Sequence, residues 1–213
     1  ITTHPEFVRQ VIRLIKPTGA KIFVGDGPGA MGHKQQLDLV FQTSGIKKVC
    51  QEEDVELAYF NHAVLKKGMP LADWLEHCNK IVSLPKFKTH DLMLLTGAVK
   101  NLFGFVMGLY KVEVHKKALE PKGMAKVLAD IYEVIRPALS IVDGILAMEG
   151  DGPGSSGTPK NLGLIFAGTD AVAVDSVLAT VMGLRPQDIL TNLEAASRNL
   201  GEMNLDNIDV LGE

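Results

Sequence analysis

This sequence predicts an α/β fold, a sheet of mainly parallel strands with helices on both faces. Three observations carry that expectation. Apolar residues recur with helical period at 8–15, 124–135 and 174–181. Apolar runs of strand length fall between them at 20–24, 80–84, 139–142 and 162–167. Glycine- or proline-bearing turns separate the segments, and one of them, GDGPGxxG, is written twice, at 25–32 and 150–157.

Taken in order, Thr3-His4-Pro5-Glu6 has the form of a capping box, with Thr3 as cap and Glu6 at the third helical position. Val8, Val11, Ile12 and Ile15 then mark one buried helix face, and Pro17 and Gly19 end it. A strand at 20–24 leads into the first GDGPG. Residues 35–43 read as helix, 55–60 as strand, 71–78 as helix and 80–84 as strand. Met124, Val127, Leu128, Ile131 and Ile135 mark a further helix, stopped by Pro137. A strand at 139–142 is followed by Asp143-Gly144 and the second GDGPG, and 162–167 is another strand. Asp170 caps a helix whose face is Val174, Val177, Leu178 and Val181, with Gly183 just past its end, and a last helix covers 186–199. Val-Ile-Arg at 11–13 and again at 134–136 precedes a proline, a strand and GDGPGxxG. The halves read as a degenerate internal repeat or as a chance coincidence of short identities.

With 213 residues, 46% hydrophobic and 22% charged, the chain has ample core for a single α/β domain over 1–213. It opens ITTHPEF without a start methionine, and so reads as an excised piece. A net charge of −3 gives no bias toward nucleic acid, and no apolar run reaches the ~18 residues a membrane span needs. Cys50 and Cys78 are the only cysteines, too few for a four-thiolate iron–sulfur cluster or a disulfide framework, so a reducing cytoplasm is expected. Charge is unevenly spread. Residues 86–126 hold eight lysines against Asp91, Glu113 and Glu120, which points to a small anionic ligand beside the glycines or to a solvated face.

Pro-Gly suits the two central positions of a type II turn, with glycine supplying the positive φ. Beyond a strand end, such a turn leaves backbone N–H groups for an anion. Gly25, Gly27, Gly29, Gly150, Gly152 and Gly154 are therefore ligand-binding candidates, the alternative being two tight connections. Gly25 to Ala30 also fits G-x-G-x-x-G/A, but Pro28, Gly29 and Gly32 resist the helix that the dinucleotide fingerprint requires, so a dinucleotide-binding domain is the weaker reading.

The chemistry concentrates in Lys86-Phe87-Lys88-Thr89-His90 and Thr96-Gly97-Ala98-Val99-Lys100-Asn101. His90 transfers a proton near neutral pH, and Lys100 clamps an anion or, when desolvated, acts as nucleophile. Lys86 and Lys88 project to one side of an extended chain, and Thr96, Gly97 and Asn101 add neutral groups and a close backbone. His90 and Lys100 are the catalytic candidates, the rest ligand-binding ones. Asp143, Glu149 and Asp151 surround the second loop and Asp26 sits in the first, where caps are the commoner role, so no metal is assigned. Asp175, beside a buried helix face, is a candidate anchor for one of the lysines. His62, His77 and His115 have no supporting context.

LPKFKTH, TGAVKNLFG, MEGDGPGSSGTP and AGTDAVAVDSVLATVMG, in this order, resemble the domain of unknown function 362 family, over residues 2–183. Members are commonly described as iron–sulfur or ferredoxin-like proteins. The resemblance thus implies 4Fe-4S clusters on a ferredoxin module outside this chain, and an opening strand upstream of Ile1. A fainter likeness, in His90 and Lys100 ten apart with Gly97 between, is to the nickel-pincer lactate racemase family, but the paired glycines before the lysine are missing. Two readings compete. One is an enzyme domain that binds a small anion in a Gly/Lys-lined cleft, with redox chemistry fed by that module. The other is a non-catalytic domain that binds a ligand or docks a ferredoxin.

Overall fold

Pro5 decides where the chain first becomes helical. Its ring fixes φ near the helical value and suits the first helical position. In the computed structural model, which describes residues 2–29, 31–118 and 120–212, α1 runs Pro5–Ile15 with His4 as its cap. The His4 Nδ1 accepts the Glu6 N–H at 3.2 Å, so the cap falls one residue later than the Thr3 box expected. Val8, Val11 and Ile12 of the expected face are buried, joined by Phe7, while Ile15 is half-buried.

The next elements are β1 Phe23–Asp26, α2 Lys34–Thr43, α3 Ile46–Glu52, β2 Glu56–Tyr59, β3 Ala63–Lys66, β4 Met69–Ala72 and α4 Trp74–His77. After them come β5 Val82–Ser83, β6 Lys86–His90, β7 Leu94–Thr96, α5 Ala98–Asn101, α6 Tyr110–Lys117 and α7 Pro121–Ile135. The chain finishes with β8 Leu139–Gly150, β9 Gly157–Gly168, α8 Ala171–Val181 and α9 Leu190–Ser197. The class is α/β, as the sequence predicts. Contacts gather the chain into two units, one of Thr2–Asn79 with Gly104–Lys116, the other of Lys80–Phe103 with Lys117–Glu213. Ile1 and Ala30, the last position of the dinucleotide pattern, lie outside the described residues.

In the first unit β1 and β2 pair in parallel. Between them in sequence, α2 buries Leu37 and Phe41 and α3 buries Ile46, Val49 and Cys50. β3 and β4 form an antiparallel hairpin, turned at Lys67 and Gly68 with φ of 49° and 74°. Those positive values are what the right-handed twist of a two-residue hairpin demands. The hairpin supplies ladder partners for 69–72, so the expected helix at 71–78 is a strand followed by the single turn of α4. Ala58, Phe60 and Ala72 form a small core against which Phe23, Trp74 and Phe105 pack.

β8 organises the second unit. β9 runs antiparallel along it from Ser140 to Gly150, so the parallel β5 and β6 line its other edge, and β7 adds antiparallel to β6. The expected strands at 139–142 and 162–167 are thus the outer ends of a long hairpin whose turn is the second GDGPG. α7 buries Met124, Leu128, Ile131 and Ile135. It stops at Arg136, φ 42°, where Pro137 forbids continuation. Asp170 caps α8, accepting the Val172 and Ala173 N–H groups at 2.8 and 3.2 Å. The buried face of α8 is rotated from the expected one: Val174 and Leu178 are buried, Val181 is exposed, and Asp175 and Ser176 turn inward. The helix expected over 186–199 is a 3-10 turn at Pro186–Asp188 and then α9. Among the described residues no helix is long and apolar enough to cross a membrane.

Helix, proline, strand and GDGPG recur in both halves, but the first loop leads into α2 and the second into β9. The repeated grammar ends at the loop.

Candidate functional site

The second glycine loop packs on the end of β6. The Asp91 N–H donates to the Gly152 carbonyl at 2.9 Å. A Cβ on Gly152 would collide with the Thr89 carbonyl, so only glycine permits the approach. The Gly152 N–H turns back to the Gly150 carbonyl at 2.9 Å. Gly150 takes the positive φ, 76°, whereas in the first loop Gly29 does so at 51°. The same five letters therefore follow two backbone paths. Gly154 faces open space.

Along β6 Phe87 is buried while Lys86, Lys88, Thr89 and His90 are half-buried, and the register against β8 is irregular between Lys86 and Lys88. Thr96 of β7 stands opposite Lys88 and shares its face. It is 6% exposed, and its hydroxyl has no hydrogen-bond partner among the described residues. Lys86, with 10% of its side chain exposed, meets the buried Asp143 at 2.7 Å, so its charge is matched within the sheet. The His90 Nδ1 lies 3.2 and 3.4 Å from the Leu92 and Met93 N–H groups and 2.9 Å from Asp91 Oδ1. A neutral ring accepts from those N–H groups and carries its proton on Nε2. A protonated ring donates from Nδ1 to the carboxylate. The imidazole thus has an arrangement for each protonation state.

Gly97 opens α5 under the same kind of constraint, because a Cβ there would collide with the Asp175 carboxylate. Asp175 accepts the Ala98 and Val99 N–H groups at 2.5 and 3.0 Å. Burial pushes its carboxyl up to about 7 against the pull of those donors. The anchor expected for a lysine thus ties down the backbone of the first turn. Asn101 donates to Ser83 at 3.0 Å, with Lys100 half-buried beside it. Ser83 precedes His90 by seven residues, roughly 20 Å of extended chain. Thr96 stands opposite Lys88 and Gly152 sits against Thr89 and Asp91, the residues on either side of His90, whereas Asn101 attaches to Ser83, toward the other end of the β5–β6 line.

The first loop, in the other unit, is built around a residue the sequence did not single out. Lys111 is 6% exposed, and its ammonium donates to the Gly27 carbonyl and lies 3.4 Å from the Gly104 carbonyl. Burial pulls it down to about 8, and Asp26 opposes that. The Gly27 N–H donates to Asp26 Oδ1 at 2.8 Å, the capping role expected of that aspartate. Gly25 lies in β1. Nothing in the alternation of α6 marks Lys111 as buried. Glu149 pairs with Lys160 at 3.1 Å, and among the described residues no three His, Cys, Asp or Glu side chains are grouped to hold a metal.

A family model, the domain of unknown function DUF362, matches residues 1–180. The chain belongs to the DUF362 family. A relative within reach is a thylakoid-associated protein of Synechocystis sp., 34% identical over 212 residues, covering 93% of this chain and 62% of its own length. This DUF362 chain thus spans less than two thirds of that relative. No solved structure matches it. The DUF362 match takes in the β6–α5 segment and both glycine loops, and the family as named carries no assigned biochemistry.

Proposed function

We propose that this DUF362 domain binds a small anionic ligand at the end of β6, between Lys88, His90 and the loop carrying Gly150, Gly152 and Gly154. The carrying observation is the seat of Gly152 on Thr89 and Asp91. It seats the glycine turn on the residues either side of His90, an imidazole with an arrangement for each protonation state. Lys88 supplies charge, and the Thr96 hydroxyl on the same face, without a partner among the described residues, supplies a directed donor. His90 then exchanges a proton with the ligand, which makes the site catalytic. Lys100, on α5, acts as an outer cation for a ligand long enough to reach it. Redox chemistry would enter through 4Fe-4S clusters on a ferredoxin module elsewhere in the full protein, and a reducing cytoplasm suits the unpaired Cys50 and Cys78.

A second reading, a non-catalytic domain that binds its ligand or docks a ferredoxin, is favoured by Lys86, whose charge goes to Asp143 instead of to a ligand. Mass spectrometry of small molecules released from the purified full-length protein tests the site. An acidic molecule retained by the wild type and lost from Lys88→Ala supports it. Equal recovery from both, or none from either, overturns it. Altered recovery of its chemically converted form in His90→Gln separates the catalytic reading from the binding one.

A further inference from the structure

The first unit holds a cleft of about 460 Å³ that none of the preceding chemistry uses. Its volume falls within the ~300–1,000 Å³ of small-molecule sites. Three aromatic rings line it, Phe23, Tyr59 and Trp74, and they are held fast. Phe23 and Trp74 lean on one another at 4.9 Å between ring centres and pack on the core of Ala58, Phe60 and Ala72. The Trp74 Nε1–H donates to the Tyr59 carbonyl at 3.0 Å. The Tyr59 hydroxyl donates to Asp38 at 2.6 Å. Trp74 also meets His77 at 5.6 Å between ring centres and Tyr59 meets Phe41 at 5.8 Å, so the rings form a fixed aromatic wall, the kind of surface a flat ring packs against.

Charged groups of both signs surround the platform. Lys21 is paired with Glu56 at 2.9 Å and sits 4.7 Å from the Phe23 ring centre. Lys34 sits 5.0 Å from the Tyr59 ring centre and makes no ion pair among the described residues. The exposed imidazole of His62 also lines the cleft. The Lys34 ammonium, which also acts on Asp38 through space, and the imidazole beside it favour an anionic group. The Asn61 amide and the Asp73 carboxylate add a donor and acceptors at the same wall. A simple aryl acid would leave those edge groups unused, whereas a heteroaromatic ring satisfies them.

We infer that this cleft is a second binding site, distinct from the β6 site, for a phosphorylated heteroaromatic of the mononucleotide class. The ring stacks on Trp74 and the phosphate meets Lys34. The site lies wholly within the first unit and does not depend on the function proposed above.

Trp74 is the sole tryptophan of the chain, so its emission reads occupancy directly. The experiment titrates the chain with adenosine 5′-monophosphate, adenosine and inorganic phosphate. The monophosphate is expected to quench saturably, adenosine to quench with an affinity about tenfold weaker, and phosphate to leave emission unchanged. Lys34→Ala, an exposed position in the first turn of α2, should bring the monophosphate to the affinity of adenosine. The inference is overturned if millimolar monophosphate leaves Trp74 emission unchanged, if adenosine binds as tightly as its monophosphate, or if Lys34→Ala binds the monophosphate like the wild type.

Discussion

Replacing Lys86 with methionine separates a structural lysine from a ligand clamp. Asp143 is 1% exposed and faces the Lys86 ammonium at 2.7 Å. Besides that ammonium it accepts the Ile145 N–H, at 3.3 Å. Methionine keeps the volume and removes the charge, which takes the Lys86 ammonium away from a buried carboxylate. Breaking one side of such a pair costs about 3–5 kcal/mol. With a urea slope of about 2 kcal/mol per molar, the midpoint of the unit carrying β6 and β8 should fall by roughly 2 M. Far-UV circular dichroism in urea reads that shift. Adding Asp143→Leu to Lys86→Met should recover most of the loss, because a well-packed apolar pair removes the buried charge. A single variant that loses less than about 1 kcal/mol, as exposed pairs do, would refute the reasoning and return Lys86 to the ligand-binding set.

The remaining expectations follow from single groups. The raised Asp175 carboxyl stabilises the fold fully below its unfolded value, near 3.9, and that contribution is lost as pH rises through about 7. The stability difference between wild type and Asp175→Asn should therefore shrink by a few kcal/mol, on the order of magnitude linkage gives, from pH 4 to pH 8; a difference flat with pH in urea titrations contradicts this. Glu53 is held down to about 2 by Arg13, with Arg9 and Lys16 adding to the effect, so its contribution is present above the unfolded value and lost as pH falls through about 2. Glu53→Gln should melt at lower temperature at neutral pH and show a flatter acid limb, and parallel melting curves would count against the cluster. Gly152→Ala should destabilise the hairpin end by its clash with Thr89, whereas Gly154→Ala, with nothing within 4 Å, should be tolerated; equal thermal melts for the two would remove the close approach from the account.

Much of the frame was legible because local chemistry and tertiary structure agreed. The α1 face, the α7 face and the Asp170 cap follow from period and capping alone. Where they failed, a partner far along the chain decided. β4 is a strand because β3 pairs with it. β8 continues through Gly144 because β9 runs beside it, and Gly144 leaves room for the Leu164 carbonyl. The site was legible as a cluster of residue types, and its division was not. Lys86 could not reveal Asp143, 57 positions away, nor Asn101 its attachment to Ser83. Lys111 carries no local sign of burial, since the Gly27 carbonyl it donates to comes from a distant loop.

Amide chemical-shift mapping of the isotopically labelled chain, titrated with inorganic phosphate, oxalate and lactate, tests the proposed anion site most directly. At least one anion should move the amides of Lys88, Thr89, His90 and Gly150 to Gly154 together and saturably, with the response lost in Lys88→Ala and weakened less in Lys100→Ala. Shifts confined to other residues, or an identical response in Lys88→Ala, would contradict the site at the end of β6.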